Sequence, residues 1–300
     1  MRRYRFHQVD VFTTTPLGGN PAAVLVDGTG LSDAEMQAIA REMNLSETTY
    51  VLPATVSGAD YRLRIFTPRR ELPFAGHPTI GTVAVLMAAG RLAAPGGSTV
   101  VRQECGAGVV EITVEAGAGG PTYWIAMPSA AWTAAHVSRD ECAAMLGCAP
   151  SDLADGPPAV VAPGVPWLIV RLAAWQAVRE LRPDLARVEV VAARAKATGV
   201  TVFALDAEDP ACGVRVRSFA PGEGIAEDPV CGSGNGAVGG YVAHEGLLGD
   251  AEFAYVAEQG AEVERPGRVM VRGRREADGR WRLDVGGQAV VMIDAELTLG

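Results

Sequence analysis

Histidine is scarce in this chain, with four in 300 residues, and the cysteines number only five. Cys105, Cys142, Cys148, Cys212 and Cys231 are scattered, and Cys142 and Cys148 stand too far apart for a CxxC knuckle. Neither a disulfide framework nor a zinc signature is present, and the odd count predicts a reducing, cytoplasmic setting. No GxGxxG follows a strand pattern, and neither a P-loop nor a GxSxG elbow occurs, which removes most of the case for nucleotide enzymes and serine hydrolases. No apolar run reaches the roughly 18–20 residues of a membrane span. The basic start MRRYRFHQVDVF is interrupted by polar residues before a signal-peptide core forms. Basic residues are also outnumbered, 26 Lys+Arg against 35 Asp+Glu, a formal charge of −9. That balance argues against nucleic acid or an anionic membrane as partner, since both need basic patches. A small anion can still be held by backbone amides.

What is present is an ordinary globular composition, 48% apolar and 20% charged, long enough for one or two domains. Within it lies an internal repeat. At an offset of 153 positions, Thr48 meets Thr201, Tyr50 meets Phe203, Arg62 meets Arg215, Arg64 meets Arg217, Phe66 meets Phe219 and Pro68 meets Pro221. After a three-residue insertion, Glu71-Leu-Pro-Phe-Ala-Gly-His77 lies over Glu227-Asp-Pro-Val-Cys-Gly-Ser233. So many matches with a single gap point to a duplicated unit, one copy in each of two domains. A cleft between similar halves is a favoured place for a small-molecule site.

Each half has an alternating strand, 61–66 or 214–219, followed by turns and an almost uniformly apolar segment, 80–89 or 236–243. A helix apolar all round is a buried helix. Small residues at 81, 84, 236, 237, 239 and 240 would let a surrounding sheet approach, and Gly90 and Gly246 fit helix C-caps. Ser32-Asp-Ala-Glu35 and Ser138-Arg-Asp-Glu141 are capping boxes of amphipathic helices. Short strands are expected over 4–12, 22–27, 99–103, 109–115, 122–127, 167–172, 200–206, 262–264, 268–272 and 280–285. The predicted class is α+β: two pseudosymmetric domains, each a mostly antiparallel, barrel-like sheet around a buried central helix. The boundaries are placed at 1–118 and 119–285, with 286–300 a strand returning to the first domain.

The turns ahead of the two apolar helices carry the chemistry. Glu71–Gly81 reads ELPFAGHPTIG and sets His77 at a helix mouth, where amides lack partners and the dipole is positive. Asp228-Pro-Val-Cys-Gly-Ser-Gly-Asn235 does the same in the other half. Two such ends facing one cleft would bind a carboxylate or enolate without Arg or Lys. Glu47 stands at the entrance of an apolar strand where its repeat partner is Val200, so the scaffold itself does not require an acid there. A thiol at a helix N-terminus, as at Cys231, is expected to be more acidic than usual. The five tryptophans, Trp124, Trp132, Trp167, Trp175 and Trp281, show no stacking period and read as packing residues.

The stretches VDVFTTTPLGGNPAAVL at 9–25, MNLSETTYVLP at 43–53, RIFTPRRELPFAGHPTIGT at 64–82, EDPVCGSGNGA at 227–237 and EQGAEVERPGRV at 258–269 resemble the PhzF family. These phenazine-biosynthesis-like proteins lie within the diaminopimelate epimerase superfamily, and the resemblance spans nearly the whole chain. It implies two pseudosymmetric domains with the active site between them, a homodimer, and a proton shift on a small carboxylate that uses no cofactor and no metal. It carries the general acid/base onto Glu47, polar catalytic groups onto His77 and Asp228, and substrate-binding positions onto Gly76, Cys231, Gly232 and Ser233. The chain departs from the family at Cys231, where Thr or Ala is common. In the epimerase branch that cysteine has a second thiol as partner, but the matching position here is Ala75, so a two-thiol epimerase is excluded. An epimerase or lyase using Glu47 and Cys231 stays open, as does a non-catalytic binding protein of the same family.

Overall fold

The computed structural model describes residues 1–93 and 96–300, which divide into two compact units: 1–125 with 286–300, and 126–285. In chain order the first unit contains β1 (Arg2–Val11), β2 (Asn20–Leu25), α1 (Asp33–Met43), β3 (Glu47–Leu52), β4 (Tyr61–Phe66), β5 (Glu71–Leu72), α2 (Gly76–Ala88), β6 (Ser98–Cys105), β7 (Gly108–Glu115) and β8 (Thr122–Met127), whose last two residues fall past its boundary. There follow β9 (Ala131–Ala134), α3 (Arg139–Leu146), β10 (Ala159–Ala162), β11 (Trp167–Arg171), α4 (Trp175–Glu180), α5 (Leu185–Arg194), β12 (Gly199–Ala204), β13 (Val214–Ala220), β14 (Ile225–Asp228), α6 (Gly232–Glu245), β15 (Glu252–Gln259), β16 (Gly267–Arg275) and β17 (Trp281–Gly287). The chain ends in β18 (Ala289–Leu299), which belongs to the first unit. The result is a mixed α/β protein with a large, mostly sheet core and six α-helices among the described residues. None of these helices is long and apolar enough to cross a membrane, and all five cysteines are free.

In the first unit β18, β1 and β2 pair antiparallel, β2 and β3 run parallel, and β3 and β4 are antiparallel. Strand β4 then pairs with β5 antiparallel and with β6 parallel, and β6, β7 and β8 continue antiparallel. In the second unit β9, β10 and β11 are antiparallel, β11 and β12 parallel, and β12 and β13 antiparallel. Strand β13 pairs with β14 antiparallel and β15 parallel, and β15 with β16 antiparallel.

Each unit encloses one helix with no polar face. Every residue of α2 from His77 to Leu86 is buried, as is every residue of α6 from Gly234 to Ala243. Helix α2 packs on β1, β2, β3 and β18, and α6 on β9, β10, β11, β12 and β16. Small residues permit this. A Cβ on Gly81 would lie 2.8 Å from Val9 Cγ1, and one on Gly240 2.8 Å from Val161 Cγ1 and 2.9 Å from Ala130 Cβ. Both helices stop at left-handed glycines, Gly90 at φ 68° and Gly246 at φ 62°. At Gly90 the Arg91 N–H returns to Leu86 O, the long bond of a Schellman turn. The capping boxes predicted at Ser32 and Ser138 are both formed, on α1 and α3.

Residues 262–264 are not the strand expected from their alternation. A 3-10 turn spans Ala261–Val263, bracketed by left-handed Gly260 and Glu264. Two positive-φ residues four apart reverse the chain too tightly for a ladder. The close approach at the two glycines sets an expectation. Gly81→Val and Gly240→Val each overpack a helix–strand contact and lower unfolding stability by on the order of 2 kcal/mol. Denaturant titration compared with Gly97→Ala, an exposed position without a left-handed backbone where a Cβ meets nothing within 4 Å, checks this.

Candidate active site

In the first unit, β3 and α2 bring two of the expected residues together. Glu47 opens β3, paired to Ala22 of the parallel neighbour β2. His77 is the second residue of α2. Glu47 Oε2 and His77 Nε2 lie 3.0 Å apart, and each residue is only 9% exposed. A carboxylate withdrawn this far from water needs a polar neighbour, and the imidazole nitrogen stands at ion-pair distance from it.

The approach to α2 is fixed by Arg64 of β4. Its guanidinium grips Glu71 in a fork, Nε to Oε1 and Nη2 to Oε2 both at 2.7 Å, and also meets Asp33. Such paired charge-assisted bonds define direction as well as distance. They tie β4 to β5 and so aim the turn that ends at Gly76. Inside, Gln103 Nε2 donates to Thr79 Oγ1 at 3.1 Å while Tyr61 Oη donates to Gln103 Oε1 at 2.9 Å, anchoring the first turn of α2. The N-cap, Ala75, offers no side-chain acceptor.

In the second unit the same construction recurs with different groups. Arg217 of β13 forks onto Glu227, both bonds at 2.8 Å, just ahead of Asp228. Asp228, Cys231, Gly232 and Ser233 gather at the mouth of α6. Asp228 Oδ1 accepts the Val230 N–H at 3.1 Å, and Cys231 is the N-cap, its sulfur accepting the Gly234 N–H at 3.3 Å. Gln259 binds the segment from behind: its Oε1 accepts from Cys231 N at 3.3 Å and Asn235 Nδ2 at 2.9 Å, and its Nε2 donates to Asp228 O at 3.0 Å. Trp167 Nε1 donates to Ser233 Oγ at 3.0 Å. Asp228, Gly232 and Ser233 are half-buried, at the N-terminal end of α6. The sequence reading did not single out Gln259 or Asn235, although both lie in the motif stretches, and it took Trp167 for packing.

Cys231 corrects one expectation. Its thiol is not acidified by the helix end. It is 4% exposed, and burial, reinforced by the neighbouring Asp228 carboxylate, pushes it well above the ordinary thiol range. The bonds from Ser233 and the Gly234 amide act the other way and lose. The repeat partner of Glu47 is also displaced by one. In the β11–β12 and β12–β13 ladders the first strand residue, matching Glu47, is Gly199, and Val200 matches Thr48. The other histidines do different work: His7 is buried on β1, and His244 stacks on Trp132 at 3.9 Å between ring centroids.

Comparison with known proteins fits this geometry. Residues 9–295 match the family model of the phenazine biosynthesis-like proteins. The chain is 36% identical to "Antisense-enhancing sequence 1" of Schizosaccharomyces pombe, covering 99% of both chains. It is 34% identical to the trans-2,3-dihydro-3-hydroxyanthranilate isomerase of Pseudomonas fluorescens, over 94% of this chain and 95% of the other. The crystal structure of the Bacillus anthracis phenazine biosynthesis protein of the PhzF family superposes with a TM-score of 0.91 at 27% identity, covering 100% of both chains. The chain belongs to the PhzF family. It is an isomerase.

Gly76 provides a test of the helix mouth. Its φ is not positive, and a Cβ there would meet no protein atom within 4 Å, so neither backbone nor packing demands glycine. Gly76→Ala is expected to keep or slightly raise the melting temperature, since alanine orders at lower entropic cost by about 0.4–1 kcal/mol. Activity falls at the same time if the room at this position serves the substrate. Calorimetric melting and turnover measured on the same preparation check both.

Proposed function

We propose that this isomerase moves a proton between two carbons of a small cyclic carboxylate, using side chains alone, with Glu47 as the shuttle. The observation that carries the reading is the 3.0 Å contact between Glu47 and His77, both withdrawn from water. The Glu47 carboxylate takes a proton from a weakly acidic C–H, becomes the carboxylic acid, and returns the proton at another carbon. The electron pair released from the first C–H bond shifts along the conjugated system to form the second, so no oxidant or reductant is consumed. His77 keeps the carboxylate oriented between the two steps. A positioned acid or base of this kind contributes about 10²–10⁴ in rate.

Asp228, Gly232 and Ser233, with Gly76, are assigned to the substrate's polar groups. The N–H groups of Gly232 and Ser233 have no acceptor among the described residues, as expected at a helix N-terminus that receives an anion. The substrate class follows the Pseudomonas relative: a ring bearing a carboxylate, as in trans-2,3-dihydro-3-hydroxyanthranilate. The raised thiol of Cys231 speaks against the Glu47/Cys231 epimerase, because a neutral thiol is a poor base. We also infer that the two units are copies of one ancestral unit, each a barrel-like sheet around its helix. The identical order of parallel and antiparallel pairings supports this. A cytoplasmic homodimer completes the reading; sedimentation as a monomer at micromolar concentration would refute the dimer.

Glu47→Gln keeps size and polarity but cannot exchange a proton. It is expected to fold normally and to lose about 10²–10⁴ in kcat. Cys231→Ser is expected to lose far less. Turnover in deuterated water, read by mass spectrometry, separates a shielded single carboxyl, which returns part of the original proton, from two opposed bases, which bring in solvent deuterium. Near-normal turnover by Glu47→Gln would sink the central claim.

A further inference from the structure

Trp167 and Gly199 occupy the positions in the second unit that Ala22 and Glu47 occupy in the first. Both pairs are Cα partners at the start of a parallel ladder, β11–β12 and β2–β3 respectively. The exchange is complementary in volume: alanine beside glutamate in one unit, tryptophan beside glycine in the other. At Gly199 no side chain fits, since a Cβ would lie 2.2 Å from Phe219 O and 2.8 Å from Trp167 Cζ3. The indole thus fills the space over this strand start. Its N–H reaches Ser233, the residue that aligns with His77, at 3.0 Å. One unit therefore sets a carboxylate against the second residue of its helix, and the other sets an indole N–H there.

An indole nitrogen can only donate. Ser233 Oγ must accept from it, which commits a lone pair and leaves the hydroxyl proton for another acceptor. The neighbouring sulfur of Cys231 is a weak candidate at 3.5 Å, and it already accepts the Gly234 N–H. The indole is 4% exposed, so water does not compete for its N–H.

We propose that Trp167 is a positioning residue for substrate recognition: its N–H fixes the Ser233 hydroxyl as a donor to the substrate's carboxylate. This rests on the assignment of Ser233 to substrate binding made above. It separates the roles of the two units, since the position that carries the base in one is closed by an aromatic ring in the other.

The test uses the full chain, with 3-hydroxyanthranilate and its uncharged amide, 2-amino-3-hydroxybenzamide, as probes in titration calorimetry. The wild-type protein is expected to prefer the carboxylate. Trp167→Phe keeps the ring and removes the N–H. It is expected to weaken carboxylate binding about 5–10-fold, the worth of one hydrogen bond, and to leave amide binding within about 2-fold. Ser233→Ala is expected to weaken the carboxylate by a similar factor, and the double variant no further than Ser233→Ala alone. Additive losses, equal weakening of both probes, or no effect of Trp167→Phe would overturn the inference while leaving the role of Ser233 intact. Unchanged carboxylate binding by Ser233→Ala would instead remove Ser233 from the site, and this inference with it. A wild-type protein with no preference for the carboxylate would refute the proposed substrate class. The shuttle itself is judged separately, by turnover of Glu47→Gln.

Discussion

The structure is governed by two helices that have no side suited to water. A helix with one polar face can lie on a sheet, but α2 and α6 must be enclosed, and only closely approaching strands can do it. Enclosure dictates the small residues along both helices, such as Gly81 against Val9 and Gly240 against Val161. It also dictates where polar chemistry can sit. The flanks of each helix are filled by aliphatic contacts, so the N-terminal turn is where unpaired amides and polar side chains gather. His77 in one unit and Asp228, Cys231 and Ser233 in the other all stand at such a turn.

Similar helix ends do not produce similar electrostatics. A helix terminus favours a neighbouring negative charge by about 0.3–1 kcal/mol, rarely about 2. Full burial can shift a titrating group by up to about 3–5 pH units, equivalent to about 4–7 kcal/mol. At Cys231 the second effect prevails, aided by the nearby Asp228 carboxylate, and the sulfur is a neutral N-cap rather than a nucleophile. At Glu47 the environment is dry as well, but an imidazole lies against the carboxylate. At Cys231, burial beside a like charge keeps the sulfur neutral.

The parts of this protein legible in the sequence are those whose signal is local. The capping boxes at Ser32 and Ser138, the strands at 61–66 and 214–219 and the two apolar helices depend on residues within a few positions of one another. Helix α5 is absent from the sequence reading because LARVEVVAAR is rich in valine, which suits strands. Its helical state rests on the Asp184 cap and on Val188, Val191 and Ala192 buried on one face. Strand β15 depends in part on a partner far along the chain, β13, with which it runs parallel. Among the residues proposed for the site, Glu47, His77, Asp228 and Ser233 stand in recognisable motifs. Trp167 does not, because an indole's role depends on the single acceptor its N–H meets, and that acceptor is 66 residues away.

The one-residue difference between Val200 and Gly199 as the counterpart of Glu47 matters beyond bookkeeping of the repeat. Side chains alternate along a strand, so a shift of one changes which face a position serves. With Val200 as counterpart, the missing acid would be a simple exchange of a polar for an apolar side chain. With Gly199, the position has no side chain, and the indole of Trp167 beside it fills the space. The two changes depend on each other: Trp167 could not lie where it does beside a larger residue at 199, and a glycine there without the indole would leave a void at a cost of the kind seen for emptied cores. A carboxylate at 199 would require both positions to change together. In the first unit the corresponding pair is the small Ala22 beside Glu47, whose carboxylate reaches His77.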